Sequence, residues 1–201
     1  MEKTIVFATH NEDKVKEVKE MLNELGYKVL SLKDLGLKVE AEEVADNFEN
    51  NARIKAFDIL PKTGFPVLAD DSGLCVHALD GFPGVHSARF MEGHTYEEKC
   101  NEIIRRLSGK EDKKATFYTD MVFIDKVHGI DLCFEGTAEG EILPSYDKEA
   151  PDKFGYDPVF YSYDLRKSFG RATAEEKNSI SHRGRALRKL FDYLKSIKEF
   201  D

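Results

Sequence analysis

Two adjacent carboxylates, Asp70 and Asp71, stand directly after an apolar run in "FPVLADDSG", and Ser72 follows them. The run predicts a buried strand, and open α/β sheets commonly bind ligands at the carboxyl ends of their strands. A carboxylate in that place can hold Mg²⁺ or act as a general base toward water. Glu42 and Glu43 precede a predicted helix and could return to the same place. Taken alone, these residues suit a solvated acidic loop with an Asx turn equally well.

A second candidate is "ATHNEDK", which falls between a predicted strand and a predicted helix. Backbone N–H groups at a helix N-terminus are available to an anion, and Thr9 and Asn11 add side-chain donors. Lys14 adds a full positive charge in the first turn. On this stretch alone the plainer interpretation is favoured, in which Asn11 caps the helix and Lys14 is solvated.

The stretch "FGYDP" (residues 154–158) places two aromatic side chains around a glycine and an acid before a proline. Phe154 or Tyr156 could stack on a purine, and Asp157 could accept hydrogen bonds from it. A turn that contributes aromatic side chains to the core is equally compatible with this pattern. The sequence therefore leaves a base-binding slot open as one of two interpretations.

Cationic and donor groups gather in "EEKNSISHRG", which contributes Lys177, His182 and Arg183. If Ser181 caps the last helix, Arg183 lies in the first turn, where the helix dipole disfavours positive charge. Ordinary surface charge is the alternative, but an anion or a base carbonyl at this end would explain the placement better. Together the four stretches supply cations for phosphates, acids for a metal and a water, and an aromatic slot. These are the groups that a nucleotide-hydrolysing cleft needs.

The overall composition excludes several classes of protein. The chain has 201 residues, of which 41% are hydrophobic and 34% charged, and its formal net charge is -8. An excess of acid disfavours binding to a nucleic-acid backbone. Cys75, Cys100 and Cys133 lack zinc-ligand spacing and indicate reduced thiols in a cytoplasmic protein. No apolar run approaches ~20 residues, so we expect neither export nor membrane association.

The pattern of apolar residues predicts an α/β protein. "KTIVFA" and "YKVLSL" predict strands on either side of a helix, and Asp46 or Asn47 could cap a second helix. "PVLAD" and "LCVHAL" predict two further strands, and "KATFYTDMVFID" and "GIDLCFEGTAEGEIL" a long antiparallel pair. Residues 181–200 predict the last helix. We expect a single α/β domain over residues 1–201 with a mixed sheet, in which the β-rich middle could form a second lobe beside a cleft.

Five stretches together resemble the inosine triphosphate pyrophosphatase family in their order and spacing. They are "FATHNEDKVKE", "FENNARIKA", "LADDSGLCVHALDGFPGVHSARF", "FGYDPVF" and "EEKNSISHRGRAL". The resemblance implies an elongated mixed β-sheet flanked by helices, with two lobes around a central substrate cleft. It implies Mg²⁺-dependent hydrolysis of the deaminated purine nucleotides ITP, dITP and XTP to the monophosphate and pyrophosphate. It also implies a homodimer, and we expect a cytoplasmic protein with no nucleic-acid or membrane partner, as the composition indicates.

The same resemblance assigns roles to individual residues. Asp71 matches the general base that activates water, and the metal-binding acids match Glu43 and Asp71, with Glu42 as a neighbour. The phosphate-contacting loop matches Thr9, His10, Asn11, Glu12, Asp13 and Lys14. The remaining substrate contacts match Ser72, Phe154, Gly155, Tyr156, Asp157, Lys177, His182 and Arg183.

Two departures from the family pattern bear on these roles. "NFENNA" has Asn47 where the family usually has threonine, and Asn50 where it usually has glutamate. Asp152 and Lys153 replace two glycines before "FGYDP". Asn50 supports one alternative, a nucleotide-binding protein of the same fold with impaired turnover. A pyrophosphatase for modified pyrimidine nucleotides is a second alternative that stays open.

Overall fold

The computed structural model describes residues 3–198, with side chains to residue 196. The predicted domain over residues 1–201 thus includes five terminal positions, 1, 2 and 199–201, that lie outside the described residues. The strands are β1 (Lys3–Phe7), β2 (Tyr27–Ser31), β3 (Val67–Val76), β4 (Lys114–Asp125), β5 (Ile130–Ile142), β6 (Phe160–Ser162) and β7 (Lys167–Ser168). The α-helices are α1 (Glu12–Asn23), α2 (Leu32–Leu35), α3 (Phe48–Ile59), α4 (Tyr96–Arg106), α5 (Ala174–Ile180) and α6 (His182–Lys198). Short 3₁₀ helices cover Leu60–Lys62, His77–Leu79, Gly84–His86, Asp157–Val159 and Phe169–Arg171.

The strands form one mixed sheet in the order β2-β1-β3-β4-β5-β6-β7. β1 pairs in parallel with both β2 and β3, whereas β6 pairs antiparallel with β5 and β7. Only residues 126–129 separate β4 from its sheet neighbour β5. Because a parallel crossover needs a dozen or more residues, this pair is antiparallel, as predicted. The predicted mixed α/β sheet flanked by helices is confirmed.

The chain divides into two compact units. Unit 1 contains Met1–Asp71, Thr119–Gly136 and Arg183–Asp201, and unit 2 contains Ser72–Tyr118 and Thr137–His182. The β-rich middle of the chain therefore does supply a second lobe. In the part of the chain that the structure describes, no helix is both long and apolar enough to cross a membrane.

Unit 1 packs helices on both faces of its strands. On one face Phe7, Leu68 and Phe123 contact apolar side chains of α1 and α6, such as Leu22 and Leu190. The other face carries the alternate strand residues, and it packs against α3 through Ala52, Ala56 and Ile59. Since successive side chains of a strand point to opposite faces, each central strand of unit 1 contributes to both cores.

Unit 2 has its own core on the outer part of the sheet. Cys100 and Ile103 of α4 pack against Leu74 of β3 and against Phe117 and Phe160. The rings of Phe117 and Phe160 lie 4.6 Å apart, and the ring of Phe169 joins them. This aromatic cluster contacts one of the predicted substrate residues, because the His182 ring stacks on Phe117.

The prediction that a strand ends at the two aspartates was wrong. "PVLAD" and "LCVHAL" do not form separate strands, because β3 runs without a break from Val67 to Val76. Asp70 and Asp71 lie in the middle of this strand and are both buried. Charged groups are tolerated there because positive side chains compensate them, as the site geometry shows.

Candidate active site

Asp70 is the centre of a buried ionic cluster in unit 1, the Asp70 cluster, which contains Lys14, Asp70, Arg183 and Glu17. The Lys14 ammonium lies 3.0 Å from Asp70 Oδ2, and Arg183 Nε lies 3.4 Å from the same oxygen. The Nη1 group of the same guanidinium pairs with Glu17. The two cations hold the pKa of Asp70 well below its usual range against the opposing effect of burial. The predicted phosphate lysine and the predicted substrate arginine are therefore brought together by one carboxylate.

This cluster removes the conflict that the sequence raised at Arg183. The arginine lies in the first turn of α6 and is 3% exposed, yet its charge is already met by Asp70 and Glu17. An external anion is therefore not required to explain a cation at this helix end.

The loop before α1 is organised as a helix cap. Asn11 Oδ1 accepts from the backbone N–H groups of Asp13 and Lys14 at 3.0 and 3.2 Å, and Thr9 Oγ1 accepts from the Asn11 N–H. The plainer interpretation of Asn11 is thus confirmed. Lys14, however, is not a solvated lysine as that interpretation predicted, because its ammonium donates to Asp70.

Other predicted residues of this loop have contacts of their own. His10 is exposed, and its Nε2 accepts from the Val39 N–H at 3.2 Å. Glu12 is exposed and pairs with Lys33 at 3.4 Å. The Asp13 side chain is exposed. The backbone N–H of Asp13 donates to Asn11 and so takes part in the cap.

A second charged cluster in unit 1, the Lys55 cluster, joins Glu43, Lys55 and Asp71. Lys55 Nζ lies 3.4 Å from Glu43 Oε2 and 3.8 Å from Asp71 Oδ1. The lysine comes from α3 and its side chain is only 10% exposed. Two of the predicted metal-binding acids are therefore adjacent to one positive charge, whereas Glu42 is exposed.

Lys55 is the functional candidate that the sequence interpretation missed. Its signal was present, because Lys55 lies on the buried face of α3 together with Asn51, Ala52, Ala56 and Ile59. A lysine is rarely buried unless it has a partner. A lysine at a core position of a predicted helix thus indicated a nearby acid.

Asp70 and Asp71 serve different clusters because they point to opposite faces of β3. Leu68 shares its face with Asp70 and packs toward α1 and α6, whereas Val67 and Ala69 pack toward α3. Consistently, Asp70 contacts cations from α1 and α6, and Asp71 contacts Lys55 of α3. The adjacent acids in the sequence therefore do not form one joint carboxylate pair.

The two aspartates also differ in basicity. Burial raises the pKa of Asp71, and the Lys55 ammonium only partly opposes this shift. The pKa of Asp70 moves the opposite way because two cations surround it. Asp71 is therefore the better proton acceptor of the pair.

The described residues contain no group of three or more histidine, cysteine, aspartate or glutamate side chains arranged to hold a metal. Glu43 and Asp71 nevertheless offer oxygens around a shared positive charge. Magnesium sites commonly use one or two carboxylates together with water and substrate phosphates. The donor set fits a magnesium ion completed by a substrate, but not a cage made by protein alone.

Asn50 does not form the carboxylate link that the family pattern suggests for its position. It is exposed in the first turn of α3, and its backbone N–H donates to the cap residue Asn47 at 2.8 Å. Glu43 and Asp71 hold Lys55. The glutamate usual at position 50 is therefore not needed to position this lysine.

In unit 2 the structure brings Phe154, Asp157 and Lys177 together. Lys177 Nζ lies 2.5 Å from Asp157 Oδ2 and 5.0 Å from the centre of the Phe154 ring. Asp157 and Lys177 are both buried, while Phe154 is partly exposed. Gly155, with φ +55°, turns the chain between the two aromatic residues.

Tyr156 belongs to the core of unit 2. Its hydroxyl donates to the Ser87 carbonyl at 2.6 Å, and its ring packs edge-on against Tyr96 at 5.4 Å. Its side chain is therefore committed to the protein interior. Tyr156 thus matches the interpretation of this stretch as a source of core aromatic side chains, and Phe154, which is partly exposed, stays the candidate for stacking on a base.

His182 and Ser72 complete the predicted set in unit 2. The His182 imidazole stacks on the Phe117 ring at 4.9 Å with an interplanar angle of 10°. The stacking uses one face of the imidazole ring. Hydrogen bonds of this histidine are formed by its two ring nitrogens, which lie at the edge of the ring. Ser72 is partly buried on β3 directly after Asp71.

Known proteins match almost the whole chain. Residues 5–193 match the Ham1 family. The dITP/XTP pyrophosphatase of Desulfotalea psychrophila is 43% identical over 187 residues, which cover 92% of this chain and 82% of the relative. The dITP/XTP pyrophosphatase of a Thermoanaerobacter species is 42% identical over 199 residues, covering 97% and 98%.

Solved structures agree with the sequence matches. A HAM1 protein from Coxiella burnetii superposes with a TM-score of 0.86 at 33% identity, covering 96% of this chain and 99% of that one. The Ham1 protein of Staphylococcus aureus gives a TM-score of 0.84 at 32% identity over the same shares. Similarity of sequence and fold over nearly the full length shows that the chain belongs to the Ham1 family.

Proposed function

We propose that this protein is a magnesium-dependent nucleoside triphosphate pyrophosphatase that hydrolyses ITP, dITP and XTP to the monophosphate and pyrophosphate. Its relatives at about 40% identity are named dITP/XTP pyrophosphatases, which supports this reaction and substrate class. The observation that carries the proposal is the Lys55 cluster, where a buried carboxylate of raised pKa lies beside a lysine and a second acid. Such an arrangement suits hydrolysis of a phosphoric anhydride.

In this proposal Asp71 is the general base. In the protein without metal, burial raises the pKa of this carboxylate, which favours its uptake of a proton. The Asp71 carboxylate takes the proton of a water molecule as that water attacks the α-phosphorus. The bond from the α-phosphorus to the bridging oxygen breaks, and pyrophosphate leaves with the bonding electrons.

Positive side chains offset the charge that builds up on the leaving pyrophosphate. Lys55 lies beside the base, and Lys14 is held by Asp70 at the end of the capped loop. We assign both lysines to the phosphates, together with the loop of residues 9–14 that the Asn11 cap organises. An ammonium held in place before the substrate arrives costs little reorganisation during the reaction.

Magnesium is part of the same proposal. Glu43 and Asp71 would hold the ion, and Glu42 is close enough in sequence to contribute through water. When bound, the metal neutralises phosphate charge and acts as a Lewis acid.

Base recognition is assigned to unit 2. Phe154 supplies the stacking surface, and Asp157, Lys177 and His182 supply polar groups. Hypoxanthine and xanthine carry a carbonyl at the purine 6-position where adenine carries an amino group. A donor such as His182 would favour the carbonyl, whereas the adenine amino group would face that donor without forming a hydrogen bond.

We extend the proposal to the whole protein. The chain acts as a single catalytic domain over residues 1–201 in the cytoplasm, where nucleoside triphosphates are found. It forms a homodimer. Its partner is a small nucleotide and not a nucleic acid, because a net charge of -8 opposes binding to a phosphate backbone. Sedimentation as a monomer at micromolar concentration would contradict the dimer.

The test is pyrophosphate release from ITP, XTP, dITP, GTP, ATP and dTTP, with and without Mg²⁺. Rapid release is expected from ITP, XTP and dITP only, and chelation of the metal should abolish it. Release from dTTP instead would favour a pyrimidine enzyme, and ITP binding without release would favour a binding protein.

Asp71→Asn isolates the proposed base. It should lower kcat for ITP by about 10²–10⁴-fold, because general base catalysis contributes about that factor. Asp112→Asn is the matched control, since Asp112 is exposed and an asparagine can still accept from the Lys114 N–H. Turnover of Asp71→Asn at the rate of the control would remove Asp71 from this role.

A further inference from the structure

Asp152 lies two residues before Phe154 in the chain and contacts both Phe154 and Lys177, which are proposed functional residues. Its Oδ1 accepts from the Phe154 N–H at 2.9 Å, and its Oδ2 lies 3.3 Å from Lys177 Nζ. One carboxylate therefore connects the residue that presents an aromatic ring to the lysine that lies over that ring.

The backbone of Asp152 is fixed as well. Its N–H donates to the Gly170 carbonyl at 3.0 Å. A Cβ added at Gly170 would lie 2.9 Å from the Asp152 carbonyl oxygen and 2.8 Å from Ala150 Cβ. The chain can approach this closely only because residue 170 has no side chain, so Asp152 has a defined position.

Lys177 lies between two carboxylates of unequal burial. Asp157 Oδ2 is 2.5 Å from the ammonium and its side chain is 4% exposed, whereas the Asp152 side chain is 38% exposed. Asp157 alone would hold the lysine from one side. The second, more exposed carboxylate contacts the same ammonium, which lies 5.0 Å from the centre of the Phe154 ring.

We propose that Asp152 is a positioning residue, which holds Lys177 and the Phe154 backbone where they contact the purine base. This inference rests on the proposed function, in which Phe154 and Lys177 bind that base. Asp152 itself makes no contact with the reacting phosphate. Its loss should therefore weaken nucleotide binding without slowing the chemical step.

Two variants separate the contacts of Asp152. Asp152→Asn keeps an oxygen for the Phe154 N–H but removes the charge that faces Lys177. Asp152→Gly removes both contacts. Glu149→Gln is the matched control, because it removes one exposed negative charge from the same segment of the chain.

The first measurement is steady-state hydrolysis of ITP. Asp152→Asn should raise KM about fivefold, the effect of a partly exposed ion pair, and Asp152→Gly should raise it further. For both variants kcat should stay within about twofold of the wild type. Glu149→Gln should match the wild type in both constants. An unchanged or lowered KM in both Asp152 variants would overturn the proposal, and so would a loss confined to kcat.

The second measurement is amide hydrogen exchange in the protein without nucleotide. The Phe154 amide should exchange faster in Asp152→Gly and remain protected in Asp152→Asn, because only the glycine variant lacks an acceptor. Equal protection in all variants would show that Asp152 does not hold this segment.

The two measurements distinguish failure of this inference from failure of the proposed function. If the wild type releases no pyrophosphate from ITP, the function fails while the exchange result still tests the Asp152 contacts. In that case the dissociation constant of ITP, measured by calorimetric titration without metal, replaces KM as the quantity compared between the variants. The same fivefold difference in affinity is expected there, and equal affinities would overturn the positioning role.

Discussion

At the scale of single residues, Asp70 shows how a fully buried charge can be stable. Its side chain is 0% exposed, and it is surrounded by Lys14 and Arg183. Glu17 supplies the fourth charge, so the Asp70 cluster is neutral overall when all four groups are ionised. A balanced cluster is tolerated in a core, whereas an unbalanced one carries the desolvation cost of the uncompensated charge.

Asp70→Asn should therefore lower the free energy of unfolding by about 3–5 kcal/mol, because it leaves two buried cations with one acid. Urea denaturation followed by circular dichroism measures this loss. Asp112→Asn, at an exposed position, should change stability by less than about 0.5 kcal/mol. If Asp70→Asn unfolds at the same urea concentration as the wild type, the cluster does not stabilise the fold.

The sequence predicted which residues carry charge better than it predicted how they combine. Lys14, Asp70 and Arg183 were each visible as polar residues near predicted element ends. Their mutual contacts depend on residues separated by 56 and 113 positions, which no local pattern encodes. Lys55 was overlooked because a lysine within a helix is usually solvated, and only its place on the buried face indicated otherwise.

At the scale of elements, β5 and β6 approach each other closely at Gly140. This residue pairs with Ser162, and a Cβ added there would lie 2.1 Å from the Tyr161 carbonyl oxygen and 2.7 Å from Phe160 Cζ. Backbone cannot move aside as a flexible side chain can. A glycine at this position therefore permits the pairing of the two strands.

Gly140→Ala should destabilise the protein by about 1–3 kcal/mol through overpacking. Gly64→Ala provides the control, because no atom lies within 4 Å of its added Cβ and its φ is not positive. That variant should be neutral or slightly more stable, since alanine reduces the entropy of the unfolded chain. Thermal unfolding compares the two substitutions, and equal midpoints would contradict the close approach at Gly140.

Elements with strong local patterns were predictable, and β3 shows why others were not. The strand β4 contains many β-branched and aromatic residues, which are the residue types enriched in strands. β3 contains Asp70, Asp71 and Gly73, all of which are disfavoured in strands. Tertiary contacts with lysines and an arginine override that local preference, so the single strand was not visible in the sequence.

At the scale of the whole molecule, both units leave their thiols reduced and weakly reactive. Cys75, Cys100 and Cys133 are free. Burial raises the pKa of Cys75 to about 11 and those of Cys100 and Cys133 to about 12. Because the thiolate is the nucleophile, all three should be poorly reactive near neutral pH.

Alkylation by iodoacetamide at pH 8 should therefore be much slower in the native protein than in urea. The native rate at Cys75 and Cys133 should rise about tenfold for each pH unit between 8 and 10, since the thiolate fraction rises by that factor below the pKa. Mass spectrometry of the labelled peptides measures both rates. A native thiol that is labelled as fast as the denatured one would contradict the raised pKa values.

The α/β class followed from the alternation of strand and helix patterns, but the limits of the two units did not. The limits fall between Asp71 and Ser72 and between Tyr118 and Thr119, within β3 and β4. A third lies between Gly136 and Thr137, within β5, and a fourth between His182 and Arg183, within α6. Composition does not change at such points because each strand or helix continues through them, so no linker marks them.

The alternation of side chains along β3 makes this protein sensitive to insertions and deletions. Asp70 faces the cations of α1 and α6, and Asp71 faces Lys55 of α3. Removing one residue from β3 before Asp70, with the strand kept in place, would slide the following residues by one register position. Every later side chain would then face the opposite way, and the two acids would lose their assigned partners at once. A substitution can impair one carboxylate, but a single-codon deletion in this strand would disable both the buried cluster and the proposed base.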